Sequence, residues 1–391
     1  MTKQRPRRQR NRLNLPRYEL VRTRPAWRRC LQRLRGEARI AVDLEANSMY
    51  AYREQICLVQ VSIPRQDYII DPLGDLELEP FGELIEDAAI EKVFHAAEYD
   101  LMLMKREFGW QLNNLFDTQW AARILGVEKV GLANVLRDMF GVTLNKRFQR
   151  ANWCRRPLSG EQLAYAQADT HYLLRLREHF AEALQKAGRW EEAQEIFDDQ
   201  QRVALPNLSF DADDFWNISG AHRLSPQGKA VLKALNIYRD AEARHRDLPH
   251  FKVLQDRTLL ELAQKQPENK EDLSRIHGMS KGQMRRYGDN LLRLIAENRQ
   301  NPAPRRPRRQ ERPPEEVVNR YEQLHTWRKE RGMARGVESD VIVSRETLWE
   351  LAYANPHTLV ELKEIDSLGP WRREAYGKEI IKVLNGYKEG G

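Results

Sequence analysis

The sequence predicts an α/β domain with a mixed sheet, followed by two all-α helical modules. Three observations carry that expectation. Short apolar or alternating runs fill the chain from Tyr18 to about residue 100, separated by helical patterns, and the reading turns helical from 98 to about 205. After Leu224 only helical patterns remain, and they repeat at a constant offset of 89 residues. A chain of 391 residues with 41% hydrophobic content is too long for one ordinary core and apolar enough to build several.

The strand-like runs are YELVR (18–22), RIAVDLE (39–45), ICLVQVSI (56–63), DYII (67–70) and KVFHA (92–96). Between the first two, TRPAWRRCLQRLRG (23–36) predicts a helix with Thr23 as cap, a proline in the first turn and a closing glycine. Asp117-Thr118 caps a helix through Leu125, and Ser159 with Gln162 opens another through a capping box. The repeat needs no gap. It lays Tyr238-Arg239 on Trp327-Arg328, Leu259-Leu260-Glu261-Leu262-Ala263 on Leu348-Trp349-Glu350-Leu351-Ala352, Pro267 on Pro356, Leu273 on Leu362, Ile276 on Ile365 and Tyr287-Gly288 on Tyr376-Gly377. The expected organisation is a basic arm (1–17), the α/β domain (18–210), one helical module (218–300), an Arg/Pro-rich linker (301–316) and a second module (317–391).

The net charge of +8 is unevenly placed. Residues 1–35 hold 13 Lys/Arg against one acid, Glu19, so the remainder is slightly acidic. A second basic cluster, NPAPRRPRRQERPP (301–314), is too rich in proline to pack. Such arms suit phosphate contacts, or serve as a solubilising tail and a spacer. No run of 18 apolar residues and no secretory signal is present, which predicts a soluble, cytoplasmic protein with no membrane association; no obligate protein partner is evident from the sequence. Cys30, Cys57 and Cys154 are few, odd in number and far apart, so all three are expected to be reduced and inert.

The chemistry lies in five residues. In RIAVDLE, Ile40, Val42 and Leu44 take one side of a strand while Asp43 and Glu45 share the other, where like charges repel. Asp100 follows a strand and enters the first turns of a helix whose Leu101, Met104 and Phe108 mark the buried side. Tyr165 and Asp169 are four apart on a helix and so project together. A strand D-x-E, a later Asp and a final helical Y-x-x-x-D, in that order, form the pattern of the DEDD exonucleases.

Around those motifs the chain resembles the ribonuclease D family, through YELV, IAVDLE, EQICLVQVS, YIIDPL, KVFHAAEYDL, LFDTQWAARIL, GLANVL and LNKRFQRANWCRRPLSGEQLAYAQAD, and its helical repeat resembles that family's HRDC modules. The resemblance implies an RNase H-like fold that removes nucleotides from a 3′ end with two divalent ions, Mg²⁺ or Mn²⁺. Asp43, Glu45, Asp100 and Asp169 are then the metal-binding carboxylates and Tyr165 the tyrosine of the third motif. Asp43 bridges the ions, Glu45 and Asp169 complete one shell, Asp100 holds the other, and Tyr165 orients the attacking water. Ala46-Asn47 stands where a bulky residue is expected, which bears on how the terminal base is wedged.

The implied partner is RNA with a structured body, such as a tRNA precursor. A DNA exonuclease of proofreading type and a catalytically inactive RNA-binding scaffold are the alternatives on the same fold. Lys146, Arg150, Arg155 and Arg156 are candidates to grip substrate phosphates, or form a solvated loop; Trp153 stacks on a base or packs in the core. His95 is read as a hydrogen-bonded structural residue. The modules are expected to hold the RNA body, so a chain ending near residue 210 is expected to trim short single strands by itself.

Overall fold

The computed structural model describes residues 15–207, 209–306 and 312–386, so most of the basic arm and the centre of the Arg/Pro linker lie outside the described residues. The sheet has six strands: β1 (Tyr18–Val21), β2 (Arg39–Ala46), β3 (Ile56–Ile63), β4 (Gln66–Ile70), β5 (Glu91–Phe94) and β6 (Leu115–Asp117). Their order is β1-β4-β3-β2-β5-β6, with β3 antiparallel to both neighbours and the outer pairs parallel. β3 is buried at every position, which its unbroken ICLVQVSI composition requires of a central strand. β6 has no counterpart in the sequence reading, because three residues are too few to show an alternation.

Eight helices complete this domain: α1 (Arg24–Leu34), α2 (Glu79–Glu86), α3 (Glu98–Phe108), α4 (Thr118–Ile124), α5 (Leu132–Phe140), α6 (Gly160–His171), α7 (Leu173–Lys186) and α8 (Trp190–Gln200). α1 occupies the span its sequence predicts, with a proline in its first turn, although the Thr23 side chain makes no capping bond. Asp117 caps α4 as expected by accepting from Gln119 and Trp120. The mixed sheet and its helices are the α/β class that the pattern predicts.

The helical repeat is equally plain. The first module runs α9 (Pro226–His245), α10 (His250–Val253), α11 (Asp256–Lys265), α12 (Lys270–Ser274) and α13 (Lys281–Asn298); the second runs α14 (Glu315–Arg335), α15 (Ser339–Ile342), α16 (Arg345–Ala354) and α17 (Pro370–Asn385). Matching residues do matching work. Buried Arg239 donates to the Leu254 carbonyl and buried Arg328 to the Val343 carbonyl, both at 3.2 Å. α11 and α16 both stop at a left-handed residue, Gln266 (φ 45°) and Asn355 (φ 47°).

The two modules nevertheless belong to different compact units. The first forms a unit with the segment Asn47–Gln55, which leaves β2 at a register shift between Glu45 and Ala46. Within that unit the Tyr52 hydroxyl donates to Asp240 at 2.6 Å and accepts from Arg244 at 3.0 Å, while Lys252 sits 3.8 Å over the Tyr50 ring.

The second module is part of the sheet domain's own unit. Its Val341, 0% exposed, lies in the sheet domain's hydrophobic core. Arg335 holds the Glu192 carboxylate of α8 with two 2.7 Å bonds, Arg372 holds Asp199 at 2.7 Å, and the Trp371 amide donates to Glu195 at 2.6 Å. Arg123 of α4 reaches Glu338 and Asp340. A chain ending near residue 210 would expose core surface and strip the partners from a buried carboxylate, which bears against a self-sufficient domain ending there.

Candidate active site

The sheet and two helices bring the predicted carboxylates together. β2 buries Ile40, Val42 and Leu44, so its period of two turns Asp43 and Glu45 to the other face, where both are half-buried. Carboxylate oxygens of Asp43, Glu45 and Asp169 all lie within 4.8 Å of one another. Asp100, 7% exposed, enters from the first turn of α3 and repels Asp43 and Asp169. Tyr165 stands one turn before Asp169 on α6.

Two buried polar clusters hold these helices in place. The Ser159–Gln162 capping box is present at the start of α6. Further along, Gln167 donates to Asp67 at 2.6 Å, His171 contacts Asp67 at 2.8 Å, and Thr170 meets Ser62, which itself donates to Asp67 at 2.7 Å. Burial alone would raise the Asp67 carboxyl, but the bonds from His171, Gln167 and Ser62 outweigh it and hold it below its ordinary range. For α3 the fastener is Asp117, 1% exposed, which accepts from the Ala96 amide at 3.1 Å and the Ala97 amide at 2.7 Å in the turn leading to Asp100. Sequence reasoning missed Asp67 and Ser62 altogether and saw in Asp117 only a helix cap. Each is a lone polar residue in or beside an apolar run, with no local pattern to mark it.

Burial raises all four site carboxyls, and acidic neighbours add to it at Glu45, Asp100 and Asp169. Asp43 is pushed up to about 7, chiefly by burial. Glu45, Asp100 and Asp169 are raised well above their ordinary range, by burial first and then by their acidic neighbours. Burial, reinforced by Asp169, Glu45 and Asp43, also raises the Tyr165 phenol, which therefore keeps its proton. No Lys or Arg pairs with any of the four acids among the described residues. An all-oxygen donor set with unpaired negative charge fits hard divalent cations.

That electrostatic state has a measurable consequence. Acids whose folded pKa exceeds the unfolded value stabilise the metal-free fold fully at pH below about 4, and that contribution is lost as pH rises through about 7, the value for Asp43. Adding Mn²⁺ or Mg²⁺ is thus expected to raise the melting temperature more at pH 8 than at pH 5.5. A thermal shift of equal size at both pH values would argue against the carboxylates as the binding site.

The flanking candidates separate into three groups. Lys146 lines a small cavity of about 110 Å³ with Tyr165, Asp169, Gly131 and Gln149, next to the acids. Arg150 and Arg155 are exposed. The other two predictions are corrected. Trp153 is 1% exposed in a core cluster with Leu58, Ile69, Leu163 and Ala166, so it packs rather than stacks on a base. Arg156 is held by Asp71 at 2.6 and 2.8 Å and donates to the Cys57 carbonyl at 2.7 Å, which leaves it no role as an open phosphate grip. The cysteine expectation is corrected as well: Cys57 and Cys154 form a disulfide across a sequence separation of 97, while Cys30 is free and buried. Spacing rules cannot see a pair that only the meeting of β3 with the segment before α6 creates. His95 hydrogen-bonds Thr118 at 2.9 Å, in keeping with a structural role.

A model of the 3′-5′ exonuclease family matches residues 18–185, and one of the HRDC domain matches 228–295 and 318–384. Ribonuclease D of Pseudomonas paraeruginosa is 33% identical over 356 residues, covering 90% of this chain and 93% of the relative. The chain belongs to the ribonuclease D family. Ribonuclease D of Gluconacetobacter diazotrophicus is similar at 30% identity, with 91% and 90% covered. Among solved structures, Escherichia coli RNase D shares the fold at a TM-score of 0.64 and 24% identity, covering 96% of this chain and all of that one. The catalytic core of RRP6 from Trypanosoma brucei gives a TM-score of 0.66 at 26% identity, over 72% and 79%. Membership in the ribonuclease D family makes this chain a hydrolase with a 3′-5′ exonuclease domain, and its acidic cluster suits divalent metal ions. No helix among the described residues is long and apolar enough to cross a membrane.

Proposed function

We propose that this chain is a 3′→5′ exoribonuclease that trims the 3′ ends of structured RNA, tRNA precursors among them, using two divalent ions held by Asp43, Glu45, Asp100 and Asp169. The observation that carries this reading is the convergence of unpaired carboxylates from β2, α3 and α6, with Tyr165 on the same helix face as Asp169. When bound, the ions would neutralise charge on the attacking and leaving oxygens and lower the pKa of a water. Asp43, whose charge raises the carboxyls of Glu45, Asp100 and Asp169 alike, would serve both ions. Glu45 and Asp169 would complete one shell, and Asp100 would serve the other.

Tyr165 keeps its proton, so it acts as a hydrogen-bond donor and acceptor that orients water and not as the base. Lys146, with Arg150 and Arg155 nearby in sequence, steers the phosphates of the terminal nucleotides toward the acids. Asn47, at a position where a bulky residue is expected, is buried, and its side-chain oxygen accepts from the Gln55 amide at 2.8 Å.

The test is end-labelled RNA and DNA of one sequence, with free or blocked 3′ ends, incubated in Mg²⁺, Mn²⁺ or EDTA. A ladder descending from the free 3′ end of RNA, absent in EDTA, is the expected result. Equal shortening of DNA would move the assignment to the proofreading type, and intact RNA in both metals would move it to the scaffold. Replacing Tyr165 by Phe is expected to lower kcat with little change in KM, because the ring packing against Phe148 and Trp153 survives and only a hydroxyl is lost. A change confined to KM would give Tyr165 a role in substrate stacking.

A further inference from the structure

The central strand carries one side chain whose polar atoms the fold leaves unused. Gln60, in the middle of β3, is 0% exposed, and neither its amide nitrogen nor its carbonyl oxygen has a hydrogen-bond partner. A buried amide in this state is unfavourable, because it has given up its bonds to water and received none in return. The rest of ICLVQVSI is apolar but for Ser62, and a methionine would fill much the same space at no such cost.

Strand register says which groups lie beside it. Gln60 stands directly across from Asp43 of β2 and from Ile69 of β4. Opposed residues of an antiparallel pair project from the same face with Cβ atoms about 4.5–5.5 Å apart, within the reach of a glutamine. The neighbours on that face follow from the period of two. Leu58 opposes Glu45 and joins Ile69, Leu163 and Ala166 in an apolar cluster, so that side offers no polar partner. Ser62 opposes Asp67, and its hydroxyl is taken up by Asp67 and Thr170. Asp67 is in turn committed to Gln167 and His171. The Asp43 carboxylate, by contrast, accepts no hydrogen bond among the described residues. An unused donor and an unused acceptor therefore stand side by side on the face that carries the acids.

We propose that Gln60 is a positioning residue of the candidate metal site: its amide N–H donates to the Asp43 carboxylate and fixes the orientation in which that group takes up a divalent cation. A carboxylate that ligates a metal keeps its direction through hydrogen bonds to its remaining lone pairs. A neutral amide suits this place. A lysine or arginine would cancel the charge that attracts the cation, and a glutamate would add to the repulsion. The proposal rests on the exoribonuclease reading above only for the use to which the cation is put.

The experiment uses the full chain with Gln60→Met, which keeps the length of the side chain and removes both polar atoms, and with Gln60→Leu as a second apolar shape. Mn²⁺ binding is followed by electron paramagnetic resonance and by calorimetric titration, and melting is recorded in EDTA and in Mn²⁺. Both variants are expected to bind Mn²⁺ roughly 10–100-fold more weakly. With saturating single-stranded RNA and limiting Mn²⁺, kcat should fall by a similar factor and recover as Mn²⁺ is raised, while KM for RNA stays at the wild-type value. In EDTA, Gln60→Met should melt at or above the wild-type temperature, since an unmet buried amide is gone. A residue that served the core alone would show the reverse pattern. Wild-type Mn²⁺ affinity in both variants would overturn the proposal, and so would a lowered melting temperature in EDTA for both. Weakened Mn²⁺ binding in the variants, beside a wild type that trims no RNA, would keep the role of Gln60 and remove the exoribonuclease reading.

Discussion

Asp43→Asn and Asp169→Asn are each expected to abolish trimming while leaving the fold and RNA binding in place. Both residues project from well-packed elements, β2 and α6, and neither contributes apolar volume to the core. Their loss removes ligands from the cluster in which the three carboxylates lie within 4.8 Å. Metal stabilisation of the transition state is worth several kcal/mol, and ~1.4 kcal/mol is a factor of ten, so a fall in kcat of at least about 10³ is expected. Both variants should also remain folded in EDTA at neutral pH at least as well as the wild type, because each deletes one of the charges that raise the Glu45 and Asp100 carboxyls. Single-turnover assays and thermal melts on the same preparations check the two halves together. Wild-type turnover in either variant would remove the site assignment.

The second large effect concerns the helical module that shares a unit with the sheet domain. Arg335→Met leaves Glu192, 1% exposed, as a buried carboxylate without its cation. Breaking a buried pair in this way costs about 3–5 kcal/mol, which for a unit of this size lowers the melting temperature by on the order of 10 °C. Removing the whole module, by ending the chain at Pro302, should be worse, since it also withdraws Val341 from the core and uncovers Glu195 and Asp199. The truncated chain is expected to aggregate or to melt far below the wild type, and to lose activity even on short single strands, where no grip on an RNA body is needed. An unaltered melting temperature after truncation would return the module to the status of a separable appendage.

The contrast between these two predictions shows what was legible beforehand. Asp43 with Glu45, and Tyr165 with Asp169, could be read from the chain because each pair lies within one element, where a period of two or of 3.6 residues fixes which side chains share a face. Asp100 was nearly as clear, since a strand followed by an amphipathic turn aims its first residues at the sheet edge. Trp153 and Arg156 were not: they lie in an irregular segment whose side chains point where packing sends them, one into a core cluster and the other onto Asp71.

The sequence by itself determined the longer elements, the repeat at 89 residues and the faces on which the five candidate residues lie, because all of these depend on neighbours a few bonds or one helical turn apart. Tertiary structure alone decided that Asp67 and Asp117 anchor α6 and α3, that Cys57 meets Cys154, and that two aligned modules have different fates. Those outcomes turn on groups brought together from positions far apart in the chain. A carboxylate such as Glu192 selects its arginine only after every intervening element has packed, so no local pattern around Arg335 could have named its partner.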